Sequence, residues 1–231
     1  MVLHEREESR YGAIRAEDER VWQAMRRCGI GGSDASVILG VNPYRNLHHL
    51  RADKRRGIKV RQNAAMAFGS IMEEFILEVA NDQHELELVP GEPLGTLYTR
   101  ERPWQLANVD GYALDASGEV AYGIEIKQCS EYSRRLWHDG PPAHYIAQIQ
   151  HYMAVTGWPT FHIHCMVSPG DRKDLLASRK RVRDRDAFCR EIAARSELLS
   201  YEIPRDDAYI DALTRAEERV WRWIMGPRAA S

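Results

Sequence analysis

The chain opens its hydrophobic pattern with a helix-like stretch over residues 16–27, where Val21, Trp22 and Met25 share one face. GIGGSDASVILG follows; its glycines suit a tight turn, and Ser33 or Asp34 can cap a short helix through Leu39. Asn42-Pro43 breaks the chain, and residues 46–57 form another helical pattern ending at Gly57. Over residues 64–83, Phe68, Ile71, Met72, Phe75, Ile76 and Val79 recur at spacings of three and four, an apolar helical stripe with Glu73 and Glu74 beside it. The pattern then changes to strands: LGTLYTR, PWQLANVDGYAL and EVAYGIEIKQ, with Asp110-Gly111 either a tight turn or a break between two strands. Pro141-Pro142 opens the helix AHYIAQIQHYMAVTG, which Gly157 ends. The strand TFHIHCMV, a polar helical segment over 170–197, the strand LLSYEI and the amphipathic helix DDAYIDALTRAEERVWRWI complete the order. Helices, antiparallel strands and then alternating helix and strand predict an α/β (α+β) fold with a central mixed sheet flanked by helices.

Composition narrows the class. With 231 residues and 44% hydrophobic content, the chain fits one domain. It divides into a helical segment (1–60), a core (61–167), an insertion (170–197) and a last strand and helix (198–225). No apolar run reaches the roughly 18 residues of a membrane span, and the charged N-terminus lacks a signal-peptide stretch, so a cytoplasmic location is expected. The formal net charge of −2 leaves any nucleic-acid surface to charge distribution rather than to the sum. Cys28, Cys129, Cys165 and Cys189 form no CxxC pair, which argues for buried thiols rather than zinc or an iron–sulfur cluster.

The chemistry concentrates around VAYGIEIK. On a strand Glu125 and Lys127 project to one face, while Ile124 and Ile126 face the opposite layer. A paired preceding strand brings Asp110 to the same spot. Two carboxylates and an ammonium suit phosphodiester hydrolysis: the carboxylates bind a hard divalent cation, the cation lowers the pKa of its water, and the lysine orients that water or steadies developing charge. The bland reading is a solvated salt bridge on a sheet face. Glu73 offers a third carboxylate; of the adjacent pair only one can face a metal, because a helix turns about 100° per residue. Gln148 and Tyr152 lie one helical turn apart and share a face. Ser33, at a glycine-flanked helix N-terminus, and an arginine both suit phosphate. His151, His162 and His164 read as core or surface positions.

Taken together, R-x(6)-S in RRCGIGGSDAS, F-G-x-x-x-E in FGSIMEE, V-D-G, I-E-I-K and Q-I-Q-H-Y-M resemble the lambda-exonuclease and YqaJ-type viral recombinase family of the PD-(D/E)xK nuclease superfamily. The resemblance runs from about Trp22 to Val167 and resumes at LLSYEIPRDDAYIDAL. It implies a restriction-endonuclease-like core. Glu73, Asp110, Glu125 and the carbonyl of Ile126 would be metal ligands, with Lys127 catalytic. Gln148 and, less closely, Tyr152 would stand near the nucleophile, and Arg26 and Ser33 on the 5′-terminal phosphate. It further implies Mg²⁺, with Mn²⁺ as substitute, and double-stranded DNA ends digested 5′ to 3′ to leave 3′ tails. Its partners would be a single-strand annealing protein and a homo-oligomer such as a trimer, in a phage or prophage setting inside a bacterial host.

The alternatives are an endonuclease of the same fold and a non-catalytic DNA-binding scaffold. The chain departs from the family pattern at 170–197, where DRKDLLASRKRVRDRD carries seven Lys/Arg against four Asp. That basic stretch suits DNA backbone, a subunit interface or a solvated helix.

Overall fold

The computed structural model describes residues 10–57, 64–170 and 184–226. The elements run β1 (Tyr11–Ile14), α1 (Glu19–Arg27), β2 (Ile30–Gly31), α2 (Gly32–Ile38), α3 (Leu47–Arg56), α4 (Ala64–Asn81), β3 (Leu88–Pro90), β4 (Thr96–Thr99), β5 (Gln105–Ala107), β6 (Gly111–Leu114) and β7 (Val120–Ser130). A 3-10 turn (Glu131–Trp137), α5 (Ala143–Thr156), β8 (Thr160–Ser168), α6 (Arg185–Ala194), β9 (Glu197–Pro204) and α7 (Asp207–Met225) follow. Local chemistry sets the boundaries. Asp18 caps α1 by accepting from the Val21 N–H, which moves its start to Glu19 rather than residue 16. Asn46 caps α3, and Gly57 closes it in the left-handed conformation.

Among the described residues two mixed sheets are present where the sequence predicts one. The first has the order β1-β4-β5-β2 and the second β3-β6-β7-β8-β9. The run PWQLANVDGYAL explains the difference. Its first half, β5, pairs with β4 and β2; its second half, β6, pairs with β3 and β7. Asn108, Val109 and Asp110 therefore lie at the crossing between sheets, and Asn108 anchors it by accepting from Thr96 Oγ1 at 2.8 Å. The short strands β1, β2 and β3 carry too few residues to show alternation in sequence.

In the second sheet β7 runs antiparallel to β6 and parallel to β8, with Glu125 opposite Ile163 and Lys127 opposite Cys165. Its two faces are covered differently. Ile124 and Ile126 pack against Phe68, Met72 and Ile76 of α4 and Phe188 and Ile192 of α6. The opposite face meets Ile149 and Met153 of α5. Full burial of such side chains contributes about 1.5–3 kcal/mol each, so the alternation holds Glu125 on the α5 face. A smaller core of Ile30, Val37, Leu50 and Ile224 joins α2, α3 and α7.

The polar reading of 170–197 holds for α6; residues 171–183, most of the basic stretch, lie outside the described residues. No disulfide joins the cysteines: Cys28 is exposed, and Cys129, Cys165 and Cys189 are buried. Among the described residues no helix is long and apolar enough to cross a membrane.

Candidate active site

Four elements meet around Glu125. The carboxylate is 1% exposed, and its Oε1 accepts from Gln148 Nε2 at 2.6 Å and from Lys127 Nζ. Lys127 also donates to the Ile126 carbonyl at 3.1 Å and lies 5.3 Å from the centre of the Tyr145 ring. Gln148 donates to the Tyr152 hydroxyl at 2.9 Å, so the two α5 residues act on one face. Asp110, at the crossing between sheets, accepts the Ile126 N–H on Oδ2 at 2.7 Å. Glu73 stands exposed at the rim close to Asp110, which makes it the member of the glutamate pair that reaches the cluster. The structure thus brings together Glu73, Asp110, Glu125, Lys127, Gln148 and Tyr152.

The electrostatics follow from crowding. Burial and the Asp110 charge push Glu125 up to about 8, with Lys127 opposing. Loss of water on its inner side, together with Asp110, pushes Glu73 up to about 7. Burial opposes charge on Lys127, but Glu125 and Asp110 outweigh it and raise its pKa. Burial and the same two carboxylates hold Tyr152 well above the ordinary phenol value, so it stays neutral. One ammonium serves three carboxylates here. Glu125 Oε2 is buried without a hydrogen-bond partner among the described residues, an unusual state for a carboxylate oxygen.

A divalent cation fits this chemistry, since the donors are hard oxygens and three carboxylates face one ammonium. Glu73, Asp110, Glu125 and the Ile126 carbonyl are the residues that would hold it. In the arrangement present, no set of three His, Cys, Asp or Glu among the described residues is drawn together at metal-binding geometry. Asp110 Oδ2 and Glu125 Oε1 are engaged by the protein's own donors, while Glu125 Oε2 has no hydrogen-bond partner among the described residues.

A cleft of about 230 Å³ leads away from the carboxylates. Asp110, Gln148 and Tyr152 line it together with Arg26, Ser33, Lys54, Trp22 and Asn108. Arg26 and Ser33 therefore share a cleft with Asp110, Gln148 and Tyr152. The Arg26 guanidinium lies 4.8 Å from the centre of the Trp22 ring. Ser33 is exposed, and it is Asp34 that ties down the first turn of α2, accepting the Gly31 N–H at 3.0 Å. Asp34 is buried, which opposes its charge, but Lys54 Nζ at 2.6 Å and the Gly31 N–H outweigh that and lower its pKa. Lys54 and Asn108 were missed by sequence reasoning. Lys54 is one of several basic residues in the last turn of α3, and only the packing of α3 on α1 and α2 singles it out.

Away from this cleft, His151 is fully buried. Its Nδ1 meets Glu217 Oε1 at 2.6 Å and its Nε2 meets the Leu106 carbonyl at 2.9 Å, while Gln105 donates to the other Glu217 oxygen. This joins α5, α7 and β5. His162 and His164 lie near His84, whose Nε2 is 2.9 Å from His164 Nε2.

The architecture is shared with solved alkaline exonucleases. It superposes on the one from Laribacter hongkongensis with a TM-score of 0.64 at 18% identity, covering 89% of this chain and 92% of that one. A phage-related exonuclease from Haemophilus somnus gives 0.59 at 15% identity, covering 85% and 93%. The YqaJ-like viral recombinase domain matches residues 21–159, and the chain belongs to that family. It is 32% identical over 207 residues to the uncharacterized protein YqaJ of Bacillus subtilis, covering 87% of this chain and 54% of that protein. It is 27% identical over 161 residues to protein D345L of African swine fever virus, covering 58% and 45%. The chain thus spans about half the length of the curated relatives it matches.

Proposed function

We propose that this chain is a metal-dependent exonuclease that degrades linear double-stranded DNA from its ends, 5′ to 3′, and leaves 3′ single-stranded tails. The observation that carries the reading is Glu125. A buried carboxylate with one oxygen held by a lysine and a glutamine, and the other without a partner among the described residues, lies near two further carboxylates. Names of the structural neighbours, an alkaline exonuclease and a phage-related exonuclease, favour the same activity.

Bound at Glu73, Asp110, Glu125 and the Ile126 carbonyl, Mg²⁺ (or Mn²⁺ in its place) supplies Lewis acidity that lowers the pKa of water and offsets phosphate charge. The rest falls to the protein's own groups. Lys127, held charged by Glu125 and Asp110, steadies the negative charge that develops on the phosphoryl oxygens. Gln148 fixes Glu125 Oε1, so this carboxylate has one orientation. Tyr152, kept neutral, anchors Gln148 and closes the cleft wall. Arg26 and Ser33 hold the 5′-terminal phosphate, since arginine matches phosphate with paired donors. Other parts of the proposal are an annealing protein that takes the 3′ tails, a closed homo-oligomer such as a trimer, and a site of action in the bacterial cytoplasm. Digestion of linear and covalently closed duplexes of one sequence tests the end requirement. Mononucleotides from the linear form alone support it, and nicking or linearisation of the closed form moves the assignment to an endonuclease.

A further inference from the structure

The segment between α2 and α3 is tied down closely. Val41 and Asn42 donate backbone N–H groups to the Ser36 carbonyl, and Asn42 Nδ2 donates to Ser36 Oγ at 2.8 Å. Asn42 Oδ1 accepts from the N–H groups of Tyr44 (2.9 Å) and Arg45 (2.8 Å). Arg45 pairs with Asp53 at 3.1 Å and with buried Asp34 at 3.6 Å. Yet Tyr44, the largest apolar side chain in the segment, is 79% exposed. A backbone fixed on both sides thus holds an aromatic ring in solvent, and burial does not explain its place.

Its neighbours point inward to the site. The Tyr44 ring lies 6.4 Å from His144, edge to face, and His144 lies 4.0 Å from Tyr145, whose ring Lys127 approaches. His144, Gln148 and Tyr152 are spaced by four and share one face of α5. At about 1.5 Å per residue, His144 is about 12 Å along the helix from Tyr152. That is the length of three to four stacked nucleotides at about 3.4 Å each. Tyr152 borders the cleft with Arg26 and Ser33, while Tyr44 and His144 lie at the other end of α5, past Glu125 and Lys127.

We propose that Tyr44 and His144 form a stacking site for a nucleobase of the bound DNA strand, about three or four nucleotides in from the end held by Arg26 and Ser33. Aromatic rings take any base through its π-face, so the site grips the strand without reading sequence, as a degrading enzyme requires. This inference rests on the nuclease reading above.

The test uses the full chain with Ca²⁺ and a short linear duplex whose 5′-phosphorylated strand carries 2-aminopurine at successive positions, with cleavage of the same duplex in Mg²⁺ measured alongside. The wild type should quench the fluorescence at one position several nucleotides from the end. Tyr44→Ala should remove that quenching and weaken binding about 5- to 100-fold, while Tyr44→Phe keeps both. A wild type that cleaves DNA, with Tyr44→Ala binding and quenching as it does, overturns the stacking site and leaves the nuclease reading intact. A folded wild type that neither cleaves nor binds DNA overturns both.

Discussion

Asp110 and Ile126 are joined across the sheet crossing: the aspartate Oδ2 accepts the Ile126 backbone N–H at 2.7 Å. One carboxylate thus registers the inter-sheet segment against β7 and faces Glu73 and Glu125 as a charge. Asp110→Asn separates the two roles, since the amide oxygen still accepts from Ile126. The variant should melt within a few degrees of the wild type and lose at least about 100-fold in Mg²⁺-dependent DNA cleavage. A melting point that collapses instead would make Asp110 a purely structural residue.

The crowded carboxylates give a pH dependence of definite sign. Glu125 sits at about 8 in the folded protein, above its ordinary value of 4.5. The folded state therefore holds a proton that the unfolded state has released, and stability falls as pH rises from about 4.5 to about 8. On the proposed function Mg²⁺ would bind the ionised form, so it should stabilise more at about pH 8.5 than at about pH 6. Urea unfolding across pH in EDTA and in Mg²⁺ reads both effects. Glu125→Gln should flatten the EDTA curve, and an unchanged slope in that variant would remove Glu125 as its source.

The elements of the fold were largely legible because burial imposes a period. The α4 stripe and the alternation of Ile124, Glu125, Ile126 and Lys127 each follow from which side meets apolar neighbours. The split of PWQLANVDGYAL between two sheets was not legible. Both halves look like strand, and only their partners decide the sheet. At the site, the carboxylates, lysine and glutamine carry short motifs. Lys54 and Glu217 carry none; their roles come from helices distant in sequence packing together.

At Gly32, α2 packs closely against Gln148 and Tyr152 of α5 beside the cleft. A Cβ there would lie 2.5 Å from the Tyr152 ring and 2.9 Å from Gln148 Cγ. Gly32→Ala should displace both side chains, destabilise by about 1–3 kcal/mol and lower kcat by about tenfold or more. A variant with wild-type kcat would show that Gln148 need not stay on Glu125.

The His151–Glu217 pair locks α5 to α7 with no solvent contact. Both ring nitrogens face acceptors, an arrangement that favours the protonated imidazole. Burial opposes that charge, but Glu217 and the Leu106 carbonyl outweigh it and raise its pKa. The stabilisation is complete below the unfolded value of about 6.5 and fades as pH rises through the folded value. Glu217→Gln should lose about 3 kcal/mol or more near pH 6, with the deficit narrowing at higher pH. A deficit independent of pH, read by urea unfolding, would mean that the pair is held by packing alone.

The most direct measurement pairs the wild type with Lys127→Ala on linear duplex DNA labelled at one 5′ end, with phosphate or hydroxyl there, in Mg²⁺ and in EDTA. 5′ nucleotides should be released only in Mg²⁺, faster from the phosphorylated end, and the release should fall by at least about 100-fold in a variant that still folds. Cleavage that persists undiminished in Lys127→Ala, or a folded wild type with no Mg²⁺-dependent cleavage, would contradict the proposed function.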